Sequence, residues 1–473
     1  MTIAPRTLVE QLRSSGQSHV LRSWDDLDTD AQARLLGQLA LVDWNEFAHL
    51  QRLAAARDGA RPAAVDLDSA VSPRCLRLRC PANPITPSAA IARGEEALRA
   101  GQIGAILVAG GQGTRLGCTG PKGLVQVGPV SRATLFELLF GKLLAVRRRF
   151  GRNVPLAIMT SSATDAETRQ FLIDRRSCGL DPDCVHVFRQ HDLPAIDATT
   201  GRMLLDAPDR IAMAPDGHGG MLVALAESGG IEWFARHGVE HVVGFQVDNP
   251  LAMPLDREFL GYHLLTQADF STQVVRKREP AERVGVVVES GGVHRVVEYS
   301  DLPAALAAER LPDGRLRFDA GSIAVHAFTR AFLDRCAADE TALPLHLAFK
   351  TVPYLDEAGQ RVVPTAPNAI KFERFIFDLM PLARRVCVVE IDAAEGFAPL
   401  KNPSGSAGDA PEHVHAALVA HARRLLAKAG VDVAEGVDVE LDSASILDDR
   451  DVAAAIGPGT RIERPTIVRN VHS

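Results

Sequence analysis

Apolar residues along this chain follow two rhythms. Short unbroken apolar runs at 103–108, 155–160, 185–190 and 241–247 have the length and β-branching of buried strands. Between them lie stretches with helical spacing, such as Leu135, Leu138, Leu139 and Leu143 within 131–150. This alternation over about 101–250 predicts an α/β fold around a doubly wound, mostly parallel sheet. Later runs at 272–277, 284–289 and 293–299 read as strands, the last two forming a hairpin across Gly291 and Gly292. Residues 320–326 read as one more.

The flanks have a different character. Residues 1–100 form a helical N-terminal region, where Thr29 and Gln32 have capping-box spacing ahead of Leu35, Leu36, Leu39 and Val42. Residues 60–90 are rich in proline and polar residues and read as a connecting loop. Near the C-terminus a helix over 413–429 precedes two strand-like runs, 437–441 and 460–468. They suggest a small β element that braces the fold or supports self-association. The expected organisation is 1–100 helical, 101–405 catalytic and 406–473 a C-terminal helix with β element.

Composition narrows the partners. The 473 residues, 46% hydrophobic, suffice for a large core, and a net charge of −7 argues against a general nucleic-acid binder. Arg147, Arg148 and Arg149 make the one compact basic run, and they close the 131–150 helix, where its dipole favours cations. Seven cysteines without a Cys-x-x-Cys pair fit a reduced cytoplasmic protein without structural zinc. No signal peptide or membrane-spanning run is visible.

The candidate chemistry centres on Gly110, Gly111, Gly113 and Gly117, at the carboxyl end of the first strand, where open α/β sheets bind ligands. Bare backbone N–H groups there can converge on an anion, and Thr114 adds a hydroxyl. Arg115 and Lys122 bring positive charge suited to phosphate. A Walker A loop is excluded, because Gly123 follows Lys122 where Ser or Thr is needed. A dinucleotide fingerprint is excluded too, because Leu116 stands where the third glycine belongs, which leaves a dinucleotide oxidoreductase without support.

The run Gly110-Gly111-Gln112-Gly113-Thr114-Arg115-Leu116-Gly117, with Pro121-Lys122-Gly123, resembles the signature of eukaryotic-type UDP-sugar pyrophosphorylases. The similarity is to the UDP-N-acetylglucosamine enzymes in particular, and matching segments follow in order over about 16–420. Val108 is a mild departure from the leucine usual there. The resemblance implies a Rossmann-like, GT-A-like nucleotidyltransferase fold. It further implies a reaction of UTP with a sugar 1-phosphate, giving UDP-sugar and pyrophosphate with Mg2+. Arg115 and Lys122 would be catalytic, and Asp248, at the end of a buried strand, would hold the metal. Gln190 would read the uracil edge, a task that suits an amide with both donor and acceptor. Gly217, in the second glycine-rich turn, would face the nucleotide. His218, Asn249, Glu298, Ser322, Lys371 and Lys401 would contact the sugar or its phosphate. His218 and Ser322 replace asparagines usual in the N-acetylglucosamine enzymes, so a glucose or broader UDP-sugar enzyme stays open. A sugar-nucleotide sensor without activity also stays open, although it would be expected to have lost Arg115, Lys122 or Asp248. The choice between monomer and homo-oligomer is not fixed by these patterns.

Overall fold

The computed structural model describes residues 6–56 and 65–471. The chain divides into two compact units, each discontinuous in sequence.

The larger unit comprises 65–189, 221–342 and 377–473. Its sheet contains β1 (Leu76–Arg77), β2 (Ile103–Val108), β3 (Leu156–Thr160), β4 (Val185–Arg189), β5 (His241–Gln246), β6 (Phe270–Arg276), β7 (Val286–Ser290), β8 (Val293–Val297), β9 (Ala320–Thr329) and β10 (Val386–Ile391). The spatial order is β1-β10-β6-β9-β5-β2-β3-β4, with β7 and β8 as a hairpin paired to β9. Most neighbours are parallel, and β9 alone in the main path runs antiparallel to both of its partners. The continuous apolar runs therefore mark strands covered on both faces, as parallel sheets require. Ala105, Ile106, Leu107, Val242 and Val243 have no exposed surface. Register shifts where β6 passes from Thr272 to Val274 while β9 passes from His326 to Ser322. Ala324, between them, takes a positive φ of 55°, so β9 carries an irregular insertion that re-aims Ser322.

Helices α1 (Pro87–Ala100), α2 (Leu135–Phe150), α3 (Arg257–Leu265) and α4 (Pro411–Lys428) belong to this unit. The predicted 131–150 helix starts later than its periodicity suggested. Thr134 is its N-cap, in a full capping box with Glu137, and Gly151 ends it in the left-handed conformation. Arg149 does more than meet the helix dipole. It pairs with Asp448 at 2.5 Å and Asp451 at 2.6 Å, and Asp448 pairs in turn with Arg257, itself 2.5 Å from Glu95. This network ties the C-terminal segment to α1, α2 and α3. The C-terminal strands pair in parallel, Asp432–Val433 with Arg461–Ile462 and Val439–Leu441 with Thr466–Val468. The run at 460–468 is thus two short strands rather than one.

The smaller unit comprises 1–64, 190–220 and 343–376. Helices Thr29–Ala40 and Trp44–Ala56 pack Leu35, Leu39, Phe47 and Leu50 against Ile196, Leu205, Ile370 and Phe372. The helix N-cap is Asp28, which accepts from Ala31 N, so Thr29 is the first helical residue rather than the cap. Aspartate wins because its carboxylate also suits the positive end of the helix. Gln32, instead of closing a capping box, donates to Trp24 O at 3.0 Å. Part of the 60–90 segment, 60–64, lies outside the described residues. The rest is not all loop, since it holds β1 and the start of α1. Among the described residues, no helix is long and apolar enough to cross a membrane.

Candidate active site

In the larger unit, the glycine-rich loop leaves the end of β2 and folds back on itself. Gly113 N donates to Gly120 O at 2.9 Å, and Lys122 N donates to Gly111 O at 3.0 Å. Gly113 therefore spends its N–H inside the loop, contrary to the expectation that it would point at an anion. Ser161, after β3, donates through Oγ to Gly110 O at 2.8 Å and anchors the base of the loop. Thr114 and Arg115 start a short 3-10 turn and are exposed. Lys122 begins a second such turn, and Gly123 lets it sit on Phe136, whose ring would lie 2.3 Å from an added Cβ.

Lys122 and Asp248 lie 126 positions apart and meet here. The Lys122 amine is 3.4 Å from the Asp248 carboxylate and 3.2 Å from Leu400 O. β2 and β5 are parallel neighbours paired Val108 with Gln246, so both groups leave the same end of the sheet. Leu400 N closes the arrangement by donating to Asp248 O at 2.8 Å. Asn249 is 3% exposed, and its amide bonds Gly396 O at 2.9 Å and Ala398 N at 3.0 Å. The side chain expected at the sugar phosphate is thus engaged as a clip on the loop that carries Lys401. Glu298 and Ser322 converge on Gly285. Ser322 N donates to Gly285 O at 2.8 Å, and a Cβ on Gly285 would lie 2.9 Å from a Glu298 oxygen.

The smaller unit holds Gln190, Gly217, His218 and Lys371. Gln190 is buried, at 5% exposure. Gly217 and Gly219 press against Arg374, and Gly219 N donates to Arg374 O at 2.7 Å. Lys371 lies on strand Ala369–Glu373, opposite Ala348. His218 Nδ1 accepts from Ile376 N at 3.3 Å, and its ring packs on Phe375 with centroids 5.3 Å apart. Burial, with His346 close by, pulls the His218 pKa down to about 4, so the ring is neutral at ordinary pH. A neutral ring accepting at Nδ1 carries its proton on Nε2.

Two buried charged groups beneath this turn went unnoticed in the sequence. Asp216 has no exposed side-chain surface and lies 3.2 Å from Arg374, which also pairs with Glu46 of helix Trp44–Ala56. Burial pushes the Asp216 carboxyl up to about 6, against the pull of Arg374. The only available signal was an aspartate in a glycine-rich turn, which more often marks a turn cap.

Asp248 suits magnesium chemically, as a hard carboxylate oxygen beside a phosphate-type loop. It stands singly: among the described residues no group of three or more His, Cys, Asp or Glu could hold a metal. Other ligands would have to come from substrate or water, which is usual for magnesium.

A strand-end glycine loop with converging lysine and carboxylate, on a mostly parallel sheet, defines a phosphate-handling α/β protein. The model of the UTP–glucose-1-phosphate uridylyltransferase family matches residues 81–408. The chain belongs to this UDP-sugar pyrophosphorylase family, on the side of the eukaryotic-type UDP-N-acetylglucosamine enzymes. It is 38% identical to UDP-N-acetylhexosamine pyrophosphorylase-like protein 1 of Mus musculus, over 93% of this chain and 89% of that protein. Identity to the UDP-N-acetylglucosamine pyrophosphorylase of Saccharomyces cerevisiae is 36%, over 74% and 75%. The fold matches a solved UDP-N-acetylglucosamine pyrophosphorylase of Trypanosoma brucei with a TM-score of 0.80, 24% identity, and coverage of 96% and 95%.

Proposed function

We propose that this chain is a UTP:sugar-1-phosphate uridylyltransferase of the GT-A-like kind, acting in the cytoplasm on N-acetylglucosamine 1-phosphate. The observation that carries the reading is the approach of the Lys122 amine to Asp248 at 3.4 Å, beside the glycine loop. A phosphate oxygen of the sugar 1-phosphate attacks the α-phosphorus of UTP. A new P–O bond forms, the α–β bridge breaks, and pyrophosphate leaves with its electron pair. Substrates already supply nucleophile and leaving group, so the protein's task is alignment and charge neutralisation.

In this reading Arg115, Thr114 and the loop N–H groups of Gly110 and Gly111 hold the β- and γ-phosphates. Lys122 meets charge developing between the α-phosphate and the departing pyrophosphate. Magnesium held by Asp248 would neutralise phosphate charge. Lys371 and Lys401 screen the repulsion between the two anionic substrates, and Asn249 fixes the Lys401 loop. Gln190 and Gly217 receive the base, while Glu298, Ser322 and His218 meet the sugar. His218 offers a fixed Nε2–H donor where an asparagine amide offers donor and acceptor, and this favours a second reading with glucose or galactose 1-phosphate. Retention of Arg115, Lys122 and Asp248 weighs against a sensor without activity.

The test is pyrophosphate release from UTP and Mg2+ with N-acetylglucosamine, N-acetylgalactosamine, glucose and galactose 1-phosphates. The expected order puts the N-acetylated sugars first. Preference for glucose or galactose selects the second reading, and no release with any sugar overturns both.

A further inference from the structure

Lys142 sits on α2, two turns beyond its start, with its amine buried in a pocket it shares with Leu138, Leu418 and His421. The amine donates to Pro250 O at 2.5 Å and Ala252 O at 2.6 Å. Burial alone pulls its pKa down to about 7, with no carboxylate contributing. Such a desolvated cation is costly, and a leucine or methionine would fill the same volume without that cost, though it would leave both carbonyls without a donor. Beside it lies a cavity of about 70 Å³, lined by Leu138, Met253, Leu418, Ala422 and Leu425 among others. Packing therefore does not explain a lysine here.

Its two acceptors do. They flank Leu251 in the segment that begins with Asp248 and Asn249. The other end of α2 is tied to Lys122: Leu135 N donates to Val125 O at 3.0 Å, and Val125 N donates to Lys122 O at 3.0 Å. One helix thus holds the lysine turn at its start and, through Lys142, the aspartate segment further along. We infer that Lys142 is a positioning residue that sets the spacing between Lys122 and Asp248, by cross-linking the Pro250 and Ala252 carbonyls to α2. The inference rests on the proposed roles of Lys122 and Asp248.

Lys142→Met keeps length and apolar volume but removes the donors. Its turnover is expected to fall about 10- to 100-fold, as for a small misplacement of catalytic groups. KM for UTP and sugar 1-phosphate should stay within about threefold, since no substrate contact is lost. In Lys142→Ala, where the vacated space joins the cavity, n-propylammonium should restore turnover and 1-chloropropane, of similar size but without a donor, should not. Asp248→Asn is measured alongside. Near-normal turnover of Lys142→Met beside an inactive Asp248→Asn would overturn this inference and leave the site reading intact. Equal rescue by 1-chloropropane would also overturn it, because filling space would then suffice. Full turnover of Asp248→Asn would overturn the site reading, and the inference with it.

Discussion

The glycine-rich loop of the larger unit and the glycine-rich turn of the smaller one look alike in sequence, yet their glycines serve different ends. In the turn, a Cβ on Gly217 or Gly219 would come within 2.5 Å of Arg374 backbone, and one on Gly220 within 2.0 Å of Asp216. Those glycines are demanded by the protein's own packing, over a charge cluster in which buried Asp216 meets the partly exposed Arg374 and Glu46. In the loop, a Cβ on Gly111 would meet nothing within 4 Å. No neighbour in the protein forbids a side chain at Gly111, whereas Gly123 of the same loop is closed by Phe136, so within the loop Gly111 is the glycine whose bare backbone the proposed phosphate-binding role would require. A glycine motif therefore carries two messages, stability and ligand access, and contacts separate them.

The sharpest break of this contrast is expected at Lys122. Lys122→Ala should lower turnover by about 10²- to 10⁴-fold, the range for losing a group that meets transition-state charge. Its melting temperature should hardly move, because the amine is replaceable in folding terms. Pyrophosphate release and a thermal melt on one preparation would decide it, and normal turnover would remove Lys122 from the chemistry.

The next contrast is between glycines. Gly219→Ala is expected to cost about 2–4 kcal/mol in urea unfolding, since the added carbon meets backbone that cannot yield. Gly111→Ala should change stability by less than about 0.5 kcal/mol, while KM for UTP rises. Equal stability losses in the two variants would erase the distinction drawn here.

The smallest effect concerns His218. Its folded pKa of about 4 lies below the ordinary 6.5, so the unfolded chain binds a proton that the folded chain refuses between those values. Stability contributed by the neutral ring is full above pH 6.5 and is lost as pH falls towards 4, by at most about 3–4 kcal/mol. Melting temperatures of wild type and His218→Asn, followed from pH 7.5 to 4.5, should converge on the acid side. Parallel curves would show that the ring titrates normally.

Much of the scaffold was written locally. The apolar runs placed β2, β3, β4 and β5 to within a residue or so, and for β2, β3 and β5 the reason is that a strand covered on both faces cannot hide its composition. The loop's place at the end of β2 was equally legible, since its glycines and the cations Arg115 and Lys122 lie within fifteen residues. Boundaries failed where caps competed: Thr134 and Asp28, not the first periodic residue, start their helices. The resemblance put Asn249 at the sugar or its phosphate, and the structure shows its amide engaged by two backbone groups at 396 and 398, a contact no local pattern announces.

The sequence by itself determined which segments are strands and helices, where the glycine-rich loop sits on the sheet, and which family signature the chain carries. Only the tertiary structure decided that β9 enters the sheet antiparallel with an irregular insertion at Ala324, and that Lys122 meets Asp248. It alone revealed that Arg374 lies under the second turn and that Lys142 holds the aspartate segment. Periodicity and capping are set by neighbours a few residues away. These pairings join residues from about fifty to more than a hundred positions apart, and they exist only once sheet order and register have been fixed by burial of the whole core.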